Sequence, residues 1–377
     1  MNESQFDCAI VGGGLAGLCL AIQLADKGRE VILLEKEEYP FHKVCGEYIS
    51  NESYSFLERI GLPLTTMNLP DITEVKISSP NGKSLTRKLD TGGFGISRYT
   101  LDALLFELAK KKGVVVWQNA QVNEVVSDGD SFVLRTGRKE YRAKIVCGAY
   151  GKRSLLDRKA GRHLPGAIPG ALNYLAVKYH VKLDFPPNRI ELHNFKGGYC
   201  GISKVDGDKC CLCYLTNAEI LRENGNTIKL MEQNVLMQNP HLKAYFSEAV
   251  FLNERPLTIS QITFGKKSPV EQGMLMIGDS AGTVTPLCGN GMSMAMRASF
   301  IASNLIDGYL DGRITFAQLT FLYKKEWHNS FSSRIRTGSL IQPLFGKKIL
   351  TNMAIGLFRA IPWAADKVIS ATHGQPF

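Results

Sequence analysis

The sequence predicts an α/β protein that combines a parallel sheet, an inserted antiparallel sheet and a C-terminal group of helices. Residues 7–35 have the pattern of a strand, a helix and a second strand, and a similar strand-to-turn pattern resumes at 273–279. Residues from about 170 to 265 instead alternate apolar and polar side chains, as antiparallel strands do. We therefore expect a discontinuous first domain at 1–170 plus 266–311, a sheet domain at 171–265 and C-terminal helices at 312–377.

Composition indicates a globular protein with a large core, since 44% of the 377 residues are hydrophobic and 21% are charged. The nine cysteines are an odd number, and no signal peptide opens the chain. We therefore expect reduced thiols and a cytoplasmic protein. No run reaches the ~18 apolar residues of a membrane-spanning helix. Residues 312–377 hold nine basic and two acidic side chains, a basic surface that suits an anionic partner; no nucleic-acid motif accompanies it.

Glycines at the end of the first strand have the G-x-G-x-x-G spacing of a dinucleotide-binding turn. Gly12 allows the tight turn, Gly14 lets a pyrophosphate approach the backbone, and Gly17 lets the helix pack on the strand. The phosphates would then meet the positive end of the helix, which opens with Leu15 and Ala16. Glu35 ends the second strand 18 residues after Gly17, close to the ~20 expected of a carboxylate that binds ribose. The pattern predicts a Rossmann-like domain.

The remaining elements follow from periodicity and turn residues. In the first domain we expect a helix capped by Asn51 and ended by Gly61, a hairpin of strands 73–79 and 84–89, an amphipathic helix from Leu101 to Gly113, and strands at 114–117, 121–127, 131–136 and 140–147. In the sheet domain we expect strands at 173–182, 189–194, 198–204, 209–216 and 257–264, interrupted by a helix at 226–238. A long helix from Gly291 to Leu310 follows the last turn.

Four segments together resemble the flavoprotein family with the p-hydroxybenzoate hydroxylase fold. They are the Gly12–Glu35 unit, Arg98 before Leu101-Asp102, the run 148–154, and the run 278–292. The resemblance implies a glutathione-reductase-type domain that binds FAD noncovalently. It implies that Asp279 binds a ribityl hydroxyl of the flavin. It also implies that the helix after Pro286 and Gly289 points at the flavin pyrimidine edge, where a helix N-terminus stabilises the anion of reduced flavin. The implied cofactor-binding residues are Gly12, Gly14, Leu15, Ala16, Gly17, Glu35, Lys36, Lys43, Cys45, Gly46, Arg98, Val122, Gly278, Asp279, Pro286, Gly289, Gly291 and Met292.

One loop narrows the resemblance to a branch of that family. Pro40-Phe41-His42-Lys43-Val44-Cys45-Gly46 is similar to the Pro-x-x-Lys-x-Cys-Gly segment of geranylgeranyl reductases, which lies along the flavin ring. It makes Cys45 a candidate catalytic residue, although packing explains a loop cysteine equally well. Gly201 stands where that branch has a Trp, so the pocket floor is expected to differ. The halogenase motif Trp-x-Trp-x-Ile-Pro is absent, which disfavours halogenation.

Two further observations bear on chemistry. Cys210, Cys211 and Cys213 lie in one alternating strand, which favours core packing over a metal site. Tyr150 stands where most relatives have an Asp that is associated with FAD and the nicotinamide cofactor. This substitution disfavours direct reduction by NAD(P)H and favours a reduced carrier protein or quinol as the electron donor.

The sequence therefore predicts an FAD-dependent oxidoreductase whose substrate is lipophilic: a polyprenyl, quinone or polyketide-like molecule. Reduction of a carbon–carbon double bond is the first hypothesis, and a flavin monooxygenase is the alternative. A flavin-binding protein without catalysis is the second alternative. No unmistakable acid or base stands out. The apolar segment 345–363, with basic residues at its ends, predicts either a helix at an anionic membrane surface on the inner face of the membrane or a helix packed on its own protein.

Overall fold

The computed structural model describes residues 5–137, 139–152, 154–162, 173–262, 265–283, 290–341 and 345–377. Pro286, Gly289 and Arg153 lie outside the described residues. The described part is built on two large sheets, one mainly parallel and one mainly antiparallel. This confirms the α/β fold class.

The first sheet carries the nucleotide-binding pattern. Its order is β17-β18-β9-β1-β2-β6, with β8 paired to β9 and to β7. Strands β1, β2, β6, β9 and β18 run parallel to their neighbours in this order. The strands are β1 Gln5–Val11, β2 Val31–Leu34, β6 Val115–Trp117, β7 Glu124–Asp128, β8 Ser131–Arg135, β9 Glu140–Gly148, β17 Val270–Glu271 and β18 Met274–Met276. Because β18 pairs with β9, the segment after residue 265 returns to this sheet, as the sequence predicts.

The second sheet has the order β14-β10-β13-β12-β11-β4-β5-β3, with β15 also paired to β10. Its strands are β3 Tyr48–Ser50, β4 Asp71–Ser78, β5 Ser84–Gly95, β10 Tyr174–Lys182, β11 Arg189–Phe195, β12 Gly198–Val205, β13 Lys209–Asn217, β14 Val250–Phe251 and β15 Leu257–Ile262. The sheet therefore takes β3, β4 and β5 from the segment assigned to the first domain, because β4 pairs in parallel with β11. The division into domains at the stated boundaries stays a prediction. A short pair, β16 Gly265–Lys266 and β19 Gly282–Thr283, stands apart.

The helices surround the two sheets. They are α1 Leu15–Asp26, α2 Tyr54–Ile60, α3 Arg98–Lys111, α4 Leu155–Lys159, α5 Ala218–Glu223, α6 Ile228–Asn234, α7 Pro240–Glu248, α8 Gly291–Leu310, α9 Phe316–Ile341, α10 Lys348–Ala360 and α11 Pro362–Thr372. The long helix at 291–310 is confirmed. Helix α1 is apolar nearly all round and is buried between the parallel sheet and its neighbours.

Several predicted boundaries are wrong for local reasons. The strand expected at 121–127 begins at Glu124, where β7 starts to pair with Arg135 of β8. Ser50, and not Asn51, is the capping residue: its hydroxyl accepts the N–H of Glu52 at the start of a 3-10 turn, Asn51–Ser53, that precedes α2. The helix expected at 226–238 breaks after Asn234, and α5 and α7 were not predicted.

Candidate active site

The three glycines of the first turn have different structural roles. Gly12 has φ of +105°, and a Cβ there would lie 2.6 Å from the carbonyl oxygen of Ala149; a Cβ on Gly17 would lie 2.1 Å from the carbonyl oxygen of Gly12. Both positions serve close packing. Gly14 starts α1 without a side-chain cap, and a Cβ there would meet only Lys43 Nζ at 3.4 Å and Arg98 at 4.0 Å. The helix N-terminus therefore faces a space bordered by two cations, which fits a pyrophosphate.

Glu35 lies at the end of β2 beside this turn and is nearly buried. Its carboxylate accepts the backbone N–H groups of Gly13, at 2.6 Å, and Glu37, at 3.0 Å. This is the place at which a dinucleotide-binding domain holds a ribose. Lys36 is exposed beside Glu37 and Val122 is buried in the core, so a cofactor role for either stays a prediction.

A buried carboxylate organises the two cations. Asp102 accepts two hydrogen bonds from Arg98, at 2.8 and 2.7 Å, and lies 3.1 Å from Lys43 Nζ. Burial would raise the pKa of Asp102, but the charges of Arg98 and Lys43 hold it below its usual range. Asp102 therefore stays an anion that orients both cations toward the turn. Asp102 is part of the Arg98 … Leu101-Asp102 segment, but its role in orienting the two cations was not predicted.

The third and fourth segments meet beside the same turn. The backbone N–H of Gly151 donates to Ser280 Oγ at 2.9 Å, and Lys152 Nζ lies 3.8 Å from Asp279. Gly278 has φ of +64°, and a Cβ there would lie 3.2 Å from Ala16 Cβ on α1. The fold therefore brings these predicted segments together, while the contact of Asp279 with a ribityl hydroxyl stays a prediction.

The loop 40–47 lies between β2 of the first sheet and β3 of the second sheet. Cys45 Sγ lies 3.7 Å from Met292 Sδ near the start of α8, which begins at Gly291. On the other side, Cys211 Sγ on β13 donates to the carbonyl oxygen of Cys45 at 3.3 Å. Within the described part of the chain, no heavy atom lies within 4 Å of a Cβ built on Gly46, so the loop backbone is open toward those residues. This geometry fits a loop that lies along a flavin ring.

A buried cluster of Glu47, Lys178, His180 and Cys211 sits where this loop meets the sheet. Glu47 is fully buried and accepts hydrogen bonds from Lys178 and from the backbone N–H of Arg98, the latter at 2.7 Å. Its second oxygen lies 2.6 Å from His180 Nε2. Burial would raise the pKa of Glu47, but the hydrogen bond with His180 and the Lys178 charge hold it below its usual range. Glu47 is therefore an anion inside the protein.

This cluster was not predicted, because its members are far apart along the chain. A signal was available, since Lys178 and His180 alternate with the buried apolar residues of β10. Cys211 and Cys213 face the loop and Cys210 packs in the opposite core, as predicted from alternation. Ligand atoms of Glu47, His180 and Cys211 lie within 4.8 Å of one another, as metal ligands do. The ammonium of Lys178 on the same carboxylate already balances its charge, which disfavours a divalent cation there.

An apolar patch lies beside the buried cluster on the same sheet. It consists of Ala176, Tyr199, Leu215 and Ile262, against which Val44 of the loop and Phe345 also pack. A Cβ on Gly201 would meet only ordinary contacts, Leu192 at 3.4 Å and the carbonyl oxygen of Cys213 at 3.7 Å. A small side chain would therefore fit at Gly201, where the geranylgeranyl reductase branch has a Trp.

Comparisons with known proteins agree with this geometry. Residues 5–187 match a family model described as an FAD binding domain, and residues 202–332 match one described as squalene epoxidase. Conditioned medium factor receptor 1 of Dictyostelium discoideum is 25% identical over 88% of this chain and 69% of its own length. Digeranylgeranylglycerophospholipid reductase 2 of Methanopyrus kandleri is 27% identical over 96% of this chain and 91% of its own. The flavin-dependent brominase Bmp2 has the same fold, with a TM-score of 0.78 at 19% identity over 98% and 93% of the two chains.

The fold, the open glycine turn and the matched domain define an FAD-dependent oxidoreductase. Residues 5–187 match this FAD-binding domain, and the relatives include digeranylgeranylglycerophospholipid reductases and a peptidyl-carrier-protein brominase. The predicted FAD cofactor and the predicted geranylgeranyl reductase resemblance are thereby confirmed.

Proposed function

We propose that this oxidoreductase reduces a carbon–carbon double bond in a lipophilic, polyprenyl-type molecule. The observation that carries the proposal is the apolar patch around Tyr199 and Leu215, which lies directly against Val44 of the flavin loop. These side chains are buried and pack against Val44 and Phe345, so they form an apolar wall next to the flavin loop, as a water-excluding site for a hydrocarbon chain requires. The names of several relatives, which are reductases of digeranylgeranyl lipids, support the same substrate class.

Bound FAD supplies the hydride in such a reaction, and the chain supplies binding, orientation and charge. Gly14, Lys43 and Arg98 would hold the pyrophosphate, and Glu35 would hold the ribose. Loop 40–47 borders the site through Val44, and Gly201 has no side chain on the face of the sheet that carries the apolar patch.

Anaerobic photoreduction of the bound FAD, followed by rapid mixing with a geranylgeranyl lipid, tests the proposal. We expect the flavin absorbance to return as the lipid is reduced. The saturated analogue of the same lipid is the matched control and should leave the flavin reduced. Reoxidation by both lipids, or by neither, would contradict the reductase proposal.

An oxygen-dependent monooxygenase is the second candidate, and the squalene epoxidase match over 202–332 favours it. That match includes the end of β12 and all of β13, which carries Leu215 of the apolar patch. Mixing the reduced protein with oxygen in the presence of the unsaturated lipid separates the two candidates, because a monooxygenase forms an oxygenated product and a reductase does not.

We infer that a carrier protein or a quinol, and not NAD(P)H, reduces the flavin. Tyr150 fills the position of the usual acid, and its hydroxyl donates to Asp157 at 2.9 Å. Asp157 is itself engaged by Arg162 at 2.8 Å and Lys267 at 2.6 Å, so its carboxylate is not available to a nicotinamide cofactor. Rapid bleaching of the flavin by NADPH alone would refute this inference; reduction by ferredoxin or flavodoxin with a slow NADPH reaction is expected.

We also propose that α10 contacts an anionic membrane surface. Ile349, Met353 and Leu357 recur at helical spacing on one exposed face, with exposed fractions of 74%, 66% and 53%, while Thr351 and Ile355 are buried against the protein. Lys347, Lys348 and Arg359 flank this face. No helix among the described residues has the length and apolar character needed to cross a bilayer. A helix that is anchored inward and apolar outward suits an interfacial position, which would also bring a lipid substrate near.

Vesicle co-sedimentation tests the contact. We expect salt-sensitive binding to vesicles of phosphatidylglycerol and much weaker binding to phosphatidylcholine alone, since each basic residue contributes ~1 kcal/mol near an anionic surface. The double variant Ile349→Ser with Met353→Ser should lose binding and keep its FAD. Equal sedimentation of this variant and the parent protein would rule the contact out.

A further inference from the structure

The apolar patch on the second sheet has a cover that comes from outside the sheet. The four side chains of the patch are only 4–8% exposed. Among the described residues, the partly buried apolar side chains that pack against them are Tyr174, Leu192, Ile259, Val44 and Phe345. The first three lie in strands of the sheet itself, whereas Val44 belongs to the flavin loop and Phe345 to the segment before α10. The flavin loop and the C-terminal segment therefore both border the patch.

Phe345 meets the patch through its ring. The ring lies edge-on to that of Tyr199, with centroids 5.8 Å apart and planes at 72°. This is one of the favourable arrangements of an aromatic pair. Phe345 is itself only half-buried, unlike the residues that it covers. It therefore stands at the boundary between the patch and solvent.

The backbone next to Phe345 rests on the turn between β11 and β12. The N–H of Gly197 donates to the carbonyl oxygen of Gly346 at 2.8 Å. Gly346 has φ of +78°, and a Cβ there would lie 2.8 Å from the backbone nitrogen of Gly198. Glycine suits both this conformation and this close approach. Because Tyr199 directly follows Gly198, the docked backbone sets the Phe345 ring against Tyr199.

Helix α10 begins at Lys348, two residues after Gly346. Its outer face carries the exposed side chains of Ile349, Met353 and Leu357, which we proposed above to contact a membrane. Four residues of fully extended chain span at most ~14 Å, so the Cα atoms of Phe345 and Ile349 are no farther apart than that. The cover of the patch therefore lies next to the helix at which a lipid would arrive.

A hydrocarbon chain is the occupant that suits the place of the Phe345 ring. A chain that takes this place keeps the patch out of water, so one set of apolar contacts replaces another. A charged ligand would have to give up its water against the same apolar surface, which is unfavourable. The exchange of ring for chain therefore selects an apolar ligand.

We propose that Phe345 is a gate over the hydrocarbon site of this oxidoreductase. Without lipid, its ring covers the apolar patch. An isoprenoid chain that arrives beside α10 displaces the ring, packs against Tyr199 in its place, and extends toward Val44 of the flavin loop. The inference rests on the proposed function, because it gives the proposed lipid substrate its binding surface and its route of entry.

Equilibrium dialysis of the oxidised holoprotein against geraniol, a short isoprenoid alcohol, tests the gate without turnover. In Phe345→Ala the chain no longer has to displace a ring. We therefore expect this variant to bind geraniol about 2- to 10-fold more tightly than the parent protein, the range that one aromatic pair contributes. Weaker binding would mean that Phe345 is a fixed wall of the site, and equal binding, or none to either protein, would mean that no chain binds beneath it. Each of these results would overturn the proposal.

Two further variants complete the comparison. Phe321→Ala removes a ring on α9 that is 65% exposed, and as the matched control it should bind geraniol as the parent protein does. Gly346→Ala keeps the Phe345 ring and disturbs only its anchorage, because the added methyl group meets the backbone of Gly198. We expect geraniol to bind more tightly to Gly346→Ala as well, and parental or weaker affinity in this variant would overturn the proposal.

Amide hydrogen exchange in the parent holoprotein tests the movement without any variant. The Gly197 amide should exchange faster when geraniol is bound, because its acceptor on Gly346 moves away. The Asn217 amide, which donates to the carbonyl oxygen of Gly197 at 2.9 Å, is the internal control and should not change. Unchanged or slower exchange at Gly197 would overturn the proposal.

These measurements separate the gate from the proposed reaction. If the geranylgeranyl lipid does not reoxidise the reduced flavin, but geraniol binds more tightly to Phe345→Ala and Gly346→Ala, the reductase proposal fails and the gate stands. If the lipid reoxidises the flavin and neither variant binds geraniol more tightly, the gate fails and the reductase proposal stands.

Discussion

Arg98 and Asp102 form a two-pronged ion pair in the first turns of α3, with N···O distances of 2.8 and 2.7 Å. Asp102 is fully buried, and Lys43 lies against the same carboxylate. The pair therefore positions the cations at the N-terminus of α1 before FAD arrives.

Asp102→Asn should destabilise the FAD-free protein by about 3–5 kcal/mol, because it removes one partner of a buried ion pair. Added FAD should recover part of this loss, since its pyrophosphate supplies a new counter-charge. Urea unfolding with and without FAD measures both effects. Glu107→Gln, which removes an exposed partner of Lys110, is the control and should change stability by less than ~0.5 kcal/mol. Equal unfolding of the Asp102 variant and the parent protein would contradict the role assigned to the pair.

Gly12→Ala and Gly14→Ala should separate folding from cofactor binding. At Gly12 the φ of +105° and the contact with Ala149 predict a loss of stability of about 1–3 kcal/mol. At Gly14 a methyl group fits the FAD-free protein but occupies the approach of the pyrophosphate. We expect normal unfolding and at least ~10-fold weaker FAD binding, a loss of about 1.4 kcal/mol. Flavin fluorescence titration measures the affinity for FAD. Parental affinity in Gly14→Ala would show that the pyrophosphate binds elsewhere.

Gly201→Trp should crowd the face of the sheet that carries the apolar patch. A Cβ at this position meets only ordinary van der Waals contacts, so the backbone tolerates a side chain that projects toward the patch. We expect long polyprenyl lipids to reoxidise the flavin more slowly, with FAD affinity unchanged. Gly198→Ala is the contrasting variant, because its Cβ would lie 2.1 Å from the carbonyl oxygen of Leu215 and should cost about 1–3 kcal/mol of stability. Unchanged lipid kinetics in Gly201→Trp would place the substrate elsewhere.

Glu191 should make the sheet sensitive to acid. Burial would raise its pKa, but hydrogen bonds from His193 at 2.9 Å and Tyr245 at 2.7 Å, with the charges of His193 and Lys76, lower it to about 2. Because the folded pKa lies below the unfolded value near 4.5, the stabilisation is present above pH 4.5 and is lost as pH falls toward 2. It amounts to about 3 kcal/mol.

Glu191→Gln should therefore be less stable than the parent protein at pH 7 by about this amount, and the difference should shrink as pH falls from 5 to 3. Urea unfolding at pH 7, 5, 4 and 3 measures the difference. Glu248→Gln, at an exposed position on α7, is the control and should show little change at any pH. A difference that stays constant with pH would mean that Glu191 contributes through packing and not through its charge.

The sequence by itself determined the parts of this protein that depend on local spacing. One short unit holds the three glycines, the helix that follows Gly14, and Glu35 at the end of β2. The spacing of the glycines and the apolar periodicity around them were therefore enough to predict it. Alternation likewise placed Cys211 and Cys213 on one face of β13 and Cys210 on the other. The four motif segments and the FAD cofactor followed from resemblance.

Only the tertiary structure determined which residues from distant parts of the chain contact one another. Glu47 meets Lys178 and His180 only because the flavin loop packs on β10, more than a hundred residues further along the chain, and no local pattern encodes that contact. Strand β4 joins the second sheet for a similar reason, since its parallel pairing with β11 links distant segments. Sequence periodicity shows that Lys178 and His180 share a face with each other. Only the packing of that face against the loop turns two unexplained polar residues into partners of a buried carboxylate.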